Sequence, residues 1–123
     1  MRFVQIYNQA AQTESLGLLE IAGPGYRKSL EILIKDYAIK KFPDKSGLII
    51  SPTYTLSQCI KDYIDVERIK NPSIAASWLG NDATHYTKRH IDQDLKELKQ
   101  YIETVIYFVQ FDLSADFASD FVA

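Results

Sequence analysis

Apolar residues recur along most of this chain at helical spacing, and the interruptions between them divide it into about five segments. Phe3, Tyr7, Ala10, Ala11, Leu18 and Ile21 keep the 3.6-residue rhythm and predict a first helix over residues 2–21. Gly23-Pro24-Gly25 reads as a sharp break after it. Leu30, Leu33, Ile34, Tyr37 and Ala38 fall at i, i+3, i+4, i+7 and i+8 and predict a second helix over 26–41. The three-residue break sets these two helices antiparallel. Residues 43–52 carry Gly47 and two prolines and read as a loop, within which Leu48-Ile49-Ile50 asks for burial. A short strand there would have no evident partner.

Thr55-Leu56-Ser57-Gln58 has the form of a capping box and opens a third helix reaching about Ile69. Asn71-Pro72 reads as an N-cap with proline at the first helical position, the start of a fourth segment that runs through Ala75 and Trp78. The last major helix is expected from Thr87. In it Ile91, Leu95, Leu98, Ile102, Val105 and Val109 alternate spacings of three and four, the seam of a left-handed helix–helix contact. Asp92 and Asp94 lie in its first turn, where the dipole favours acids. Together these elements predict an all-α antiparallel bundle of about five helices over residues 1–111. In 112–123 Asp112, Asp116 and Asp120 form one stripe, and Leu113, Phe117 and Phe121 the next. That segment reads as an acidic amphipathic tail or short helix, docked on a partner protein or a second subunit, or else folded back on its own bundle or frayed.

Composition narrows the function classes. A chain of 123 residues makes one domain and buries roughly two-thirds of its unfolded surface. A net charge of −2 gives no global field for a polyanion, so nucleic-acid binding would need a local patch. Lys40-Lys41 and Lys88-Arg89-His90 are the short candidates, and both also read as solvated helix ends. A single cysteine, Cys59, excludes an intramolecular disulfide and a multi-cysteine zinc site. It sits among Leu56, Ile60 and Tyr63 and reads as a small core residue. No apolar stretch approaches the roughly 18 residues of a membrane span, and there is no secretory h-region. A soluble, cytoplasmic protein without a membrane partner is expected.

Site-forming chemistry concentrates in Trp78-Leu79-Gly80-Asn81-Asp82-Ala83-Thr84-His85-Tyr86. His85 is a candidate general base or acid. Asn81, four residues earlier, shares its face if the helix continues. Alternatively Gly80 and Asn81 end the helix, and the amides of Asp82 to Thr84 open the next one, an arrangement suited to an anion with Lys88 and Arg89 nearby. Arg27, Glu31 and Lys35 make a charge ladder on the second helix, read either as an exposed ion-pair row or as a buried structural pair of Arg27 with Glu31. Gly23-Pro24-Gly25 is no phosphate loop, since it lacks the preceding strand and the following lysine. His85 and His90 are five apart, the wrong spacing for paired helical ligands, and no metal or other cofactor is expected.

Two separated motifs resemble the bacterial "domain of unknown function 4145" family. They are Ala22-Gly23-Pro24-Gly25-Tyr26-Arg27-Lys28-Ser29-Leu30-Glu31-Ile32-Leu33-Ile34-Lys35-Asp36-Tyr37 and the 78–86 run, and the similarity covers residues 3–110. That family is related to the HEPN superfamily, whose members are antiparallel helical bundles that often dimerise, many of them metal-independent ribonucleases of toxin and defence systems. The resemblance implies an HEPN-like bundle and a motif of an arginine, a polar residue and a histidine. The histidine and arginine assist attack of a ribose 2′-hydroxyl on the adjacent phosphate. On this chain Asn81 takes the polar place and His85 that of the histidine, while the arginine place falls on Gly80, which supplies no donor for the phosphate.

The expected site is therefore a polar pocket where the second helix meets residues 78–86. Asn81 and His85 are its catalytic candidates, Arg27, Glu31, Asp82 and Arg89 line it, and Trp78 forms a wall. The leading expectation is a non-catalytic or weakly active module that binds nucleotide or RNA and homodimerises in a defence or toxin–antitoxin setting. The alternatives are a metal-independent endoribonuclease with His85 as base, and a purely structural dimerisation domain.

Overall fold

In the computed structural model, which describes residues 1–86 and 95–123, the chain folds as six packed α-helices, with no strand among the described residues. They are α1 (Arg2–Ser15), α2 (Leu19–Lys41), α3 (Ser46–Ile49), α4 (Leu56–Tyr63), α5 (Glu67–Thr84) and α6 (Leu95–Val122), with a 3-10 turn, Pro43–Lys45, before α3.

The first turn falls earlier than the hydrophobic rhythm predicts. α1 ends at Ser15, and Gly17 takes the left-handed conformation, with φ of +77°. The Gly17 amide donates to the Glu14 carbonyl at 2.9 Å and the Leu18 amide to the Thr13 carbonyl at 3.1 Å. These two bonds make a Schellman cap, which satisfies the last carbonyls of the helix. Leu16, Leu18, Leu19 and Ile21 are exposed around the turn, so an apolar rhythm alone misplaces it.

Gly23-Pro24-Gly25 does not break the chain, because α2 runs through it. Pro24 lacks the N–H that would bond to the Glu20 carbonyl, yet α2 continues on both sides. The glycines serve close approach instead. A Cβ at position 23 would stand 2.6 Å from Ala83 Cβ on α5, and one at position 25 would stand 3.1 Å from Ala10 Cβ on α1. α2 is thus held between two helices, at one point where a Cβ would clash and at another where it would be tight.

Pro72 repeats the lesson. Residues 71–72 do not open a helix, since α5 begins at Glu67 and carries Pro72 inside it. α4 stops at Tyr63 rather than near Ile69, and Ile64 and Val66 are extended between the two helices. Thr55 does close the predicted capping box: its hydroxyl accepts from the Gln58 amide at 3.1 Å while Gln58 Oε1 accepts from the Thr55 amide at 2.8 Å. Of the apolar triplet at 48–50, Ile49 alone is buried. A single helical turn, α3, can aim one of three consecutive side chains inward.

Leu30, Ile34, Tyr37 and Ala38 of α2 meet Leu98, Ile102, Val105 and Val109 of α6 in one core with Leu56, Cys59, Ile60, Ala76 and Leu79. The α6 seam is buried from Leu98 to Val109 as its spacing predicts, and Leu95 is partly buried; Ile91, Asp92, Asp94 and the expected start at Thr87 lie outside the described residues. Polar clamps fix the direction of α6. Tyr26 Oη and Lys99 Nζ both donate to Glu14, at 2.7 and 3.1 Å. Farther along, Tyr37 Oη donates to Asp112 at 2.7 Å, and Lys41 bridges Asp112 and Asp116 at 2.8 and 2.9 Å. Residues 26, 37 and 41 of α2 thus meet 99, 112 and 116 of α6 in the same order. α6 runs parallel to α2, whereas α1 and α5 run antiparallel to it. The helix passes through Phe111 into the acidic segment without a break.

Candidate functional site

The 78–86 run is not a junction between helices. Residues 78–84 are the last two turns of α5, and His85 is its C-cap, with φ −97° and ψ 151°. Gly80 and Asn81 lie inside the helix, so the amides of Asp82 to Thr84 belong to it rather than opening another. The end of a helix presents carbonyls, which disfavour an anion; the arrangement suited to an anion at free amides is overturned.

Within the helix Trp78 and Asn81 lie at i and i+3 on one face, and His85 follows Thr84 as the C-cap. All three are exposed, Trp78 by 54%. Asp82, one turn after Trp78, is buried at 5% exposure beside this face. One turn on, the Thr84 hydroxyl donates to the Asn81 carbonyl at 2.8 Å, which keeps the last turn closed.

α2 supplies the cation. The Arg27 side chain crosses α5 at Gly80: a Cβ on residue 80 would meet Arg27 Cγ at 2.7 Å and Cβ at 2.8 Å. From there Arg27 Nε donates to Asn81 Oδ1 at 3.3 Å, and Nη1 lies 3.7 Å from Glu31 Oε1. The Arg27 and Glu31 side chains are 29% and 35% exposed, neither the fully solvated row nor the buried pair that the ladder left open. Lys35, the third rung, leaves the ladder and donates to the Tyr54 carbonyl at 2.7 Å.

The structure therefore brings together Arg27, Glu31 and Asn81, with Trp78 one turn before Asn81 on α5 and His85 at the end of that helix. Asp82 is buried next to them. Arg89, with Lys88 and His90, lies outside the described residues. The Arg27–Asn81 bond joins positions 54 apart in sequence, and no spacing rule points to it. The only sequence signal for the contact is Gly80 itself, a helix-disfavouring residue kept where another side chain must pass. Among the described residues no group of three His, Cys, Asp or Glu side chains could hold a metal ion. No helix among them is long and apolar enough to cross a membrane.

No family model, curated protein or solved structure matches the chain.

Proposed function

We propose that this chain is a non-catalytic or weakly active HEPN-like module that binds nucleotide or RNA through the Arg27–Asn81–His85 face and acts as a homodimer in a defence or toxin–antitoxin setting. One observation carries the reading. Arg27 fills the space over Gly80, the position at which the resemblance to the "domain of unknown function 4145" family expects an arginine, and it is bonded there to the polar residue of that motif. A guanidinium supplied from α2 takes the place of one missing from α5. A planar fork of donors suits a phosphate, and the exposed indole of Trp78 on the same face offers a base a stacking surface.

Glu31 holds back the activity of this arrangement. Its carboxylate lies beside the guanidinium and competes with a phosphate for it, which favours modest binding over transition-state stabilisation. The exposure of His85 supports the second reading, a metal-independent endoribonuclease with His85 as base.

Fluorescence anisotropy with a labelled single-stranded RNA, repeated over a salt series, tests both. Arg27→Ala is expected to weaken binding and reduce the salt slope by about one phosphate contact. Glu31→Gln is expected to tighten binding. RNA binding unchanged in Arg27→Ala would sink the proposal. RNA cleavage that survives chelator and is abolished in a folded His85→Ala variant would establish the second reading in its place.

A further inference from the structure

The outer face of α6 carries a run of exposed aromatic residues. Tyr107, Phe111, Phe117 and Phe121 are 67%, 73%, 67% and 90% exposed, and Val122 follows them. Residues 114–123 are exposed without exception. The helix is 28 residues long, about 42 Å, and its last turns extend past Lys41, where α2 ends. Lys40 Nζ lies 5.9 Å from the centroid of the Phe117 ring, but a projecting helix with an exposed aromatic face is poorly stabilised by its own hydrogen bonds in water.

Phe111, Ser114, Ala118 and Phe121 lie on one side of α6, spaced three, four and three residues apart. This order reads the same in both directions about position 116, with a large side chain at each end and two small ones between. An antiparallel copy of the same helix matches such a pattern: Phe111 meets Phe121 of the partner subunit, and Ser114 meets the small residue at 118 of the other copy, where the backbones approach. Self-complementarity of this kind is what a two-fold interface requires. The charges agree. Asp112 and Asp116 lie about half a turn away and are engaged by Lys41 of their own chain, so the acidic stripes face away from the contact. Phe111 and Phe121 together expose on the order of 300 Å² per chain, and Tyr107 and Phe117 at the edges extend this toward the roughly 800 Å² per partner of a standard interface.

We infer that the α6 face Phe111–Ser114–Ala118–Phe121 is a homodimer interface, in which the α6 helices of two copies pack antiparallel about a two-fold axis near residue 116. This names the surface for the dimer in the proposed function and does not depend on the RNA-binding part of that reading. It leaves the Arg27 face of each copy free.

Sedimentation equilibrium of the full chain over a concentration series tests it, alongside circular dichroism of each variant. The chain is expected to reach twice its monomer mass. Phe111→Glu with Phe121→Glu should weaken association about a hundredfold or more, with helicity unchanged. A Ser114→Cys, Ala118→Cys variant should form a disulfide-linked dimer on mild oxidation, because the two positions face each other across the axis. Arg27→Ala should leave the mass unchanged. A monomer at every concentration up to about 0.5 mM overturns the inference and the dimer together. A dimer that survives both glutamates and fails to cross-link overturns this interface while leaving a dimer through another face.

Discussion

Gly23 and Ala83 meet so closely that a methyl group on residue 23 would stand 2.6 Å from the Ala83 Cβ. Ordinary carbon contacts are about 3.5–4.0 Å, so α2 and α5 would have to part to admit it. Alanine is the better helix former by about 1 kcal/mol, yet Gly23→Ala is expected to destabilise by about 1–2 kcal/mol because overpacking outweighs propensity. Combining it with Ala83→Gly should restore part of the loss, and the coupling is measured by a double-mutant cycle in urea. A Gly23→Ala variant more stable than the wild type would mean the two helices can separate freely.

Gly80 and Arg27 make a second close contact with a different consequence. Gly80→Ala places its methyl against Arg27 Cβ, which is no flexible chain end and cannot swing aside. The variant is expected to lose about 1–2 kcal/mol in thermal or urea unfolding and to shift the guanidinium off Asn81. RNA affinity should fall with it, matching Arg27→Ala.

The capping box on α4 predicts a smaller, cleaner effect. Thr55→Ala removes the acceptor for the Gln58 amide and should cost about 1 kcal/mol, lowering Tm by a few degrees. Thr55→Ser, which keeps the hydroxyl, should stay near the wild type. Equal losses in the two variants would place the contribution of Thr55 in its methyl rather than its hydroxyl.

Stability should fall at both ends of the pH scale through the same clamps. The hydrogen bond from Lys41 holds the Asp112 carboxyl below the usual carboxylate value, and the Tyr26 hydroxyl does the same for Glu14. A carboxyl whose folded value is lowered contributes stability above its ordinary value of about 4 and loses it as pH falls through the lowered one. The Tyr26 and Tyr37 hydroxyls are pushed up by burial and then by these same carboxylates. Their contribution is full below the ordinary phenol value near 10 and is lost as pH rises beyond it. Tm measured against pH should show both declines, and Asp112→Asn should lower Tm at neutral pH while flattening the acid limb.

Cys59 should resist thiol reagents in the native protein. It is fully buried, and burial pushes its thiol up to about 11, against the opposing pull of Lys35. Ellman's reagent should titrate it only on unfolding. Reaction at the native protein's own rate, without denaturant, would show that the core around α4 opens readily.

Local chemistry was legible where one segment could satisfy itself. The Thr55–Gln58 box needs four consecutive residues, and the Leu98–Val109 seam needs one helix face; both stand where the pattern puts them. The glycines and prolines misled for the opposite reason. In an isolated peptide Gly23-Pro24-Gly25 and Asn71-Pro72 favour a break or a helix start, whereas here helices run through both. Packing against Ala10 and Ala83 gives the two glycines of the first motif a role that no local rule contains.

The candidate site divides along the same line. By itself the sequence determined an all-helical chain, a buried cysteine and the concentration of polar chemistry in residues 78–86, because these follow from periodicity and residue type. Tertiary structure alone decided that α5 continues through Gly80 to Thr84, that Asp82 is buried, and that Arg27 reaches Asn81. Each of those depends on how α2 lies against α5. That approach is set by contacts between residues more than fifty positions apart, a distance over which spacing along the chain carries no geometric information.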